Sequence, residues 1–172
     1  MGLFGKLFEK KECAICGGEI GLLGNRKLED GNMCKACAAK LSPWFDERRH
    51  STVAQIEEQL EYRESNKENV AAFRTTLSLG ETAKVLLDEY VGRFMVTSAR
   101  NYSEANPDVL ELSDITGCTY DIDEGIDEVT RFDENNEAVS YDPPRFTHSY
   151  NFYVTVYVNN PYFDDMRFKV NS

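Results

Sequence analysis

Cys13-Ala-Ile-Cys16 is followed, after seventeen intervening residues, by Cys34-Lys-Ala-Cys37. Two Cys-x-x-Cys pairs at that separation fit a tetrahedral ion held by four thiolates. Each pair can turn its sulfurs toward one point, and the loop between them can return. We read Cys13, Cys16, Cys34 and Cys37 as ligands of one structural zinc ion (Zn2+). Gly17 and Gly18 stand where the backbone must turn beneath the metal, and Cys37-Ala-Ala-Lys-Leu-Ser reads as the opening of a helix. A knuckle, a hairpin and a knuckle on a helix is the order of a treble clef. A module this small has little core of its own, so metal binding is expected to supply its folding free energy over residues 12–42, on the order of 10 kcal/mol.

The rest of the chain restricts what such a module can serve. The formal charge is −11, and it is uneven: residues 1–50 hold nine Lys/Arg against seven Asp/Glu, the remainder ten against twenty-three. A partner bound through phosphates needs a basic face, so nucleic acid is disfavoured. No apolar run approaches the roughly eighteen residues that span a bilayer, and no signal-peptide core is apparent. Paired cysteines are then expected to bind metal in a reducing, cytoplasmic setting.

Residues 1–11 form a short amphipathic segment, with Leu3, Phe4, Leu7 and Phe8 at helical spacing and Lys6, Lys10 and Lys11 on another face. It is read as a first helix docked on its own protein, with an interfacial membrane anchor as the alternative. Lys6 occupies the position where a myristoylation motif needs Ser or Thr. Residues 12–46 are the metal module, in which Ile20, Leu22, Leu23 and Leu28 suit a hairpin and Asp30-Gly31 its turn. Pro43 ends the module's helix, leaving Trp44 and Phe45 to pack the module against the next part of the chain. Residues 47–76 are a helical connector. Thr52 and Gln55 make a capping box, Val53, Ile56 and Leu60 an apolar stripe, and the polar run Arg63 to Asn69 implies a solvated or interrupted middle. The glutamates from Glu57 to Glu68 are read as a solvated face.

From Leu77 the period becomes alternating, and residues 77–172 are expected to be mainly antiparallel β, as a small barrel or a curved sheet. Lys84–Asp88 pairs with Gly92–Thr97, and Val109–Leu112 with Ile115–Ile122. The clearest strand is Ser149–Val158, answered by Met166, Phe168 and Val170 on a return arm. The acidic stretch 123–136 and the segment 140–147, with Pro143-Pro144, are expected to be loops. In Asp121-x-Asp123-x-Gly125 the glycine stands one place early for a calcium loop and the third carboxylate is missing, so the acids are read as a solvated edge.

Four thiolates close a zinc coordination sphere and leave no place for water, which argues against hydrolysis. The two histidines, His50 and His148, and the fifth cysteine, Cys118, form no recognisable nucleophile–base motif. His50 is read as a surface residue and Cys118 as a small buried hydrophobe. No phosphate loop and no nucleophile elbow occur.

The spacing Cys13-x-x-Cys16-Gly17, Lys27-Leu28-x-Asp30-Gly31, Cys34-x-x-Cys37 and Leu41-Ser42-Pro43-Trp44-Phe45, with Asn160-Pro161-Tyr162-Phe163-Asp164 later, resembles an uncharacterised bacterial family, common in Firmicutes, that begins with a zinc-ribbon-like domain of unknown function. The resemblance implies metal-ligand roles for the four cysteines. The β portion looks like a pleckstrin-homology-like (PH-like) domain, which implies a binding surface rather than a reaction. The expectation is thus an α+β protein: a four-cysteine treble-clef module, a connecting helix and an antiparallel β domain. Its expected function is that of a non-enzymatic interaction or scaffold module with protein partners and no small-molecule substrate. The alternatives are a membrane-surface protein recruited through residues 1–11 and a redox or metal-relay protein with labile zinc thiolates.

Overall fold

Short elements surround the cysteines because so little chain can pair there. The computed structural model describes residues 11–21 and 23–172. The amphipathic reading of residues 1–10 and the place of Leu22 lie outside them. Strands β1 (Lys11–Glu12) and β2 (Glu19–Ile20) flank the first knuckle, and β3 (Asn25–Lys27) and β4 (Asn32–Cys34) form the hairpin that leads into α1 (Lys35–Ala38). Their buried side chains, Ile20, Leu28, Met33 and Leu41, gather on Cys13, Cys37 and Ile56.

Ile56 belongs to α2 (Val53–Ala72), so the module's core is completed by the following helix. Both halves of the Thr52 capping box form: the Gln55 N–H donates to Thr52 Oγ1 at 3.3 Å, and the Thr52 N–H donates to Gln55 Oε1 at 2.9 Å. Asp30 Oδ1 accepts from the next free amide, that of Val53, at 2.8 Å, which ties the module's turn to the helix start. The helix is continuous and its middle is not solvated, contrary to the expectation from the polar run. Ile56, Gln59, Arg63, Asn66 and Val70 are all buried, at the spacing of one helical face.

The physical reason is a polar lock. Arg63 Nη1 donates to Asp108 Oδ1 at 2.8 Å, its Nη2 donates to the Asn106 carbonyl, and its Nε donates to the Lys40 carbonyl at 3.3 Å. Ser42 Oγ donates to Asp108 Oδ2 at 2.8 Å. Asn66 donates to the Asn106 side chain and the Pro107 carbonyl, and accepts from the Val109 N–H. Asn106 itself sits at φ +48, a left-handed conformation that asparagine tolerates better than most residues.

Beyond α2, strands β5 (Leu77–Leu79), β6 (Lys84–Asp88) and β7 (Arg93–Thr97) are followed by the short α3 (Tyr102–Ala105) and β8 (Val109–Glu111), giving a four-stranded sheet in the order β5-β6-β7-β8. The last three strands, β9 (Ile115–Phe132), β10 (Ala138–Val158) and β11 (Asp165–Lys169), form a separate sheet in the order β11-β10-β9. All pairings are antiparallel. Strand β7 is covered on both faces. Phe94 and Val96 join Leu110, Val156, Val158, Phe163, Met166 and Phe168 between the two sheets, while Met95 meets Val70 of α2 together with Leu86 and Val109. Trp44 reaches the inter-sheet core, with its ring edge-on to Phe168 at 6.5 Å, and Phe45 stays in the module's core, so the pair joins the two as expected.

Three expectations need correction. The β region is not a closed barrel: β8 pairs with β7 and not with β9, because a single turn of 3₁₀-helix at Leu112–Asp114 ends the ladder there. The stretches expected as loops, 123–136 and 140–147, lie largely in one long β9–β10 hairpin that turns at 133–137, with a register shift between Ser140 and Arg145. Finally, Cys118 is exposed.

Candidate metal centre

Each cysteine is placed by backbone hydrogen bonds that its own neighbours supply. The first knuckle closes through Cys13 N–H to the Gly18 carbonyl at 2.9 Å and Gly17 N–H to the Cys13 carbonyl at 2.8 Å, with Gly17 at φ +69, where a side chain would be strained. The Ala14 N–H donates to the Asn32 carbonyl at 2.8 Å, binding the knuckle to the hairpin that carries the second pair. Cys34 is the N-cap of α1, and its sulfur accepts from the Cys37 N–H at 3.3 Å. The Cys34 N–H in turn donates to Cys13 Sγ at 3.2 Å.

The four sulfurs lie within 4.8 Å of one another. Cys16 and Cys34 are 3.9 Å apart, against about 3.8 Å expected across a tetrahedral zinc site with bonds of about 2.3 Å. Cys13 and Cys37 are buried, Cys34 is half-buried and Cys16 is exposed, and none is in a disulfide. Burial opposes ionisation of Cys13, but hydrogen bonds from the backbone amides of Cys34, Cys16 and Ile15, and one with Cys16 Sγ, outweigh it and bring the thiol down to about 6. Burial, hydrogen bonds with the other three thiols and the Cys13 charge push Cys37 up to about 12. Four sulfurs this close cannot all be thiolates without a cation among them, so the donor set fits a divalent ion with an affinity for sulfur. Bound there, such an ion would supply four bonds that cross-link the first knuckle to the hairpin and α1.

The other residues singled out from sequence stay apart from this cluster. His50 is exposed at the end of a 3₁₀ turn, as expected. Cys118 pairs with Val156 and His148 with Ile126, eight residues away along β9, so they make no Cys–His pair. His148 Nδ1 instead lies 2.7 Å from Glu124 Oε1, and Tyr150 donates to that same oxygen at 3.0 Å. Asp121 and Asp123 lie on strand β9, which is an edge strand, and not in a calcium loop. Sequence reasoning missed the lock of Arg63, Asn66, Asn106 and Asp108. Its signal was present in the spacing from Ile56 to Val70, where polar residues occupy the positions that an apolar stripe would fill.

No helix among the described residues is long and apolar enough to cross a membrane. No curated protein and no solved structure matches this chain. Residues 11–59, which hold all four cysteines, both small hairpins and the first turns of α2, match the family model described as Domain of unknown function (DUF4428).

Proposed function

We propose that residues 12–46 form a treble-clef module closed around one structural zinc ion, and that the protein works as a non-enzymatic binding or scaffold module in the cytoplasm, with protein partners. The reading rests chiefly on the sulfur cluster. Four donors within 4.8 Å complete a tetrahedral sphere and leave no position for water or substrate. His50, His148 and Cys118 stand outside that cluster and Cys118 is apart from His148, which supports the same reading. The zinc is then a fold-holding cross-link whose rigid surroundings present surfaces.

Cobalt substitution tests this. A closed four-thiolate site gives an intense tetrahedral cobalt spectrum that added cyanide or azide leaves unchanged. A spectrum that shifts on adding either ligand means an open position and returns the site to catalysis. The exposure of Cys16 favours one second reading, a labile zinc used in redox or metal transfer. Zinc retained through a mild oxidant challenge removes it.

A further inference from the structure

The β9–β10 hairpin extends beyond the stretch that β11 covers, which is Tyr153–Tyr157 of β10. Strand β9 is the outer strand of its sheet, and among the described residues no strand pairs with its free edge. At 18 residues that edge is about 60 Å long. Successive side chains alternate between the two faces, and the register fixes which residues share a face.

One face carries Tyr120, Ile122 and Ile126 of β9 beside Phe152, Tyr150 and Phe146 of β10, all among the exposed large hydrophobic residues; Glu124, held by His148 and Tyr150, and Glu128 lie on the same face. It continues the face on which Val154, Val156 and Val158 pack in the inter-sheet core, but that core covers β10 and β11 and leaves β9 bare. The opposite face of β9 carries Asp121, Asp123 and Asp127. Asp121 has Arg167 at 3.7 Å, whereas Asp123 and Asp127 have no ion pair among the described residues. Residues 115–158 together hold nine carboxylates against two arginines.

We infer that the free edge of β9 is a docking site for an extended polypeptide segment of alternating apolar and basic residues. Such a strand would take up the unpaired backbone groups by β-addition. Its apolar side chains would fall beside Tyr120, Ile122 and Ile126, and its basic ones beside Asp123 and Asp127. A second copy fits less well. It would place the rows of Asp121, Asp123 and Asp127 against each other, and like charges set opposite one another across a strand pair are destabilising. An anionic membrane is repelled by the same charge. The inference names the partner chemistry for the binding role proposed above and rests on that role.

The test uses the full-length zinc-loaded chain and three labelled synthetic peptides: alternating leucine and lysine, the same composition with leucines at helical spacing, and alternating leucine and glutamate. Fluorescence anisotropy is expected to show the alternating lysine peptide binding at least about tenfold more tightly than its helical-period counterpart, with affinity falling as salt rises. The double variant Asp123→Lys/Asp127→Lys is expected to lose about tenfold for the lysine peptide and gain for the glutamate one. Asp123→Asn/Asp127→Asn, the milder pair, should lose affinity for the lysine peptide even if charge reversal disturbs the hairpin. Equal binding of the helical-period peptide, or unchanged affinity in the asparagine variant, overturns the inference. Self-association by sedimentation that Ile122→Glu abolishes also overturns it, because the face would then belong to a second copy. Zinc content measured on the same samples separates these failures from a failure of the metal reading.

Discussion

At the scale of single residues, Arg63 and Asp108 carry the most charge into the interior, with side chains 7% and 0% exposed and 2.8 Å between them. Burial pushes the Asp108 carboxyl up, against the opposing pull of Arg63 and Ser42. Its ionisation therefore opposes folding, a penalty present above the raised folded-state value and lifted as pH falls through it. Arg63→Ala removes the cation and leaves the carboxylate uncompensated, and should cost about 3–5 kcal/mol near neutral pH by denaturant titration. Because Asp108 can then escape its charge by binding a proton, that cost should shrink on acidification. A loss that stays constant or grows toward low pH would contradict the role assigned to the pair. The two kinds of cysteine separate as sharply: Cys13→Ser should abolish stoichiometric zinc, whereas Cys118→Ser, at an exposed strand position, should keep the metal and change stability by no more than about 0.5 kcal/mol.

At the scale of elements, the join between the metal module and α2 is a contact of small parts. A Cβ built on Gly31 would stand 2.8 Å from Val53 Cγ2, and the β-branched valine has little freedom to turn away. Gly31→Ala should destabilise the protein by about 1–3 kcal/mol, and Val53→Ala in the same chain should restore part of that loss in thermal melts. The pair also shows what the sequence could and could not disclose. Asp30-Gly31 was legible as a turn and Thr52–Gln55 as a helix start, since both are local chemistry. That Asp30 caps Val53, and that glycine is needed for close approach, depends on the two meeting in space. The same holds along α2: its period was legible, but burial of Arg63 and Asn66 follows from partners at 106–108, more than forty residues away. In the β9–β10 hairpin, carboxylates and Pro143-Pro144 argued for loops. The strand survives because β9 is an edge strand exposed on both faces, so its acids stay in water on either side, and the prolines fall where the register shifts.

For the whole molecule, two of the three cores draw on one helix and the third is tied to the module by a single tryptophan. The module's core takes in Ile56, the sheet-facing core takes in Val70, and Trp44 reaches from the end of the module to the inter-sheet core. The cysteine cluster and the antiparallel character of the C-terminal part were legible because spacing and alternation encode them directly. Closure into a barrel was not, since it depended on whether β8 and β9 would pair across one 3₁₀ turn. Metal removal should therefore act unevenly. Hydrogen exchange after chelation is expected to show loss of protection over residues 11–46 and the first turns of α2, while β6 and β7, buried in cores that contain no cysteine, keep theirs. Uniform loss across the chain would mean that the sheets depend on the metal for their fold.

Zinc-edge X-ray absorption on the metal-loaded protein reads the ion's neighbours themselves. One zinc per chain is expected, with four sulfur neighbours at about 2.3 Å and no nitrogen or oxygen bound to it. A light-atom ligand, fewer than four sulfurs, or a chain that folds fully without binding zinc would rule out a closed structural site.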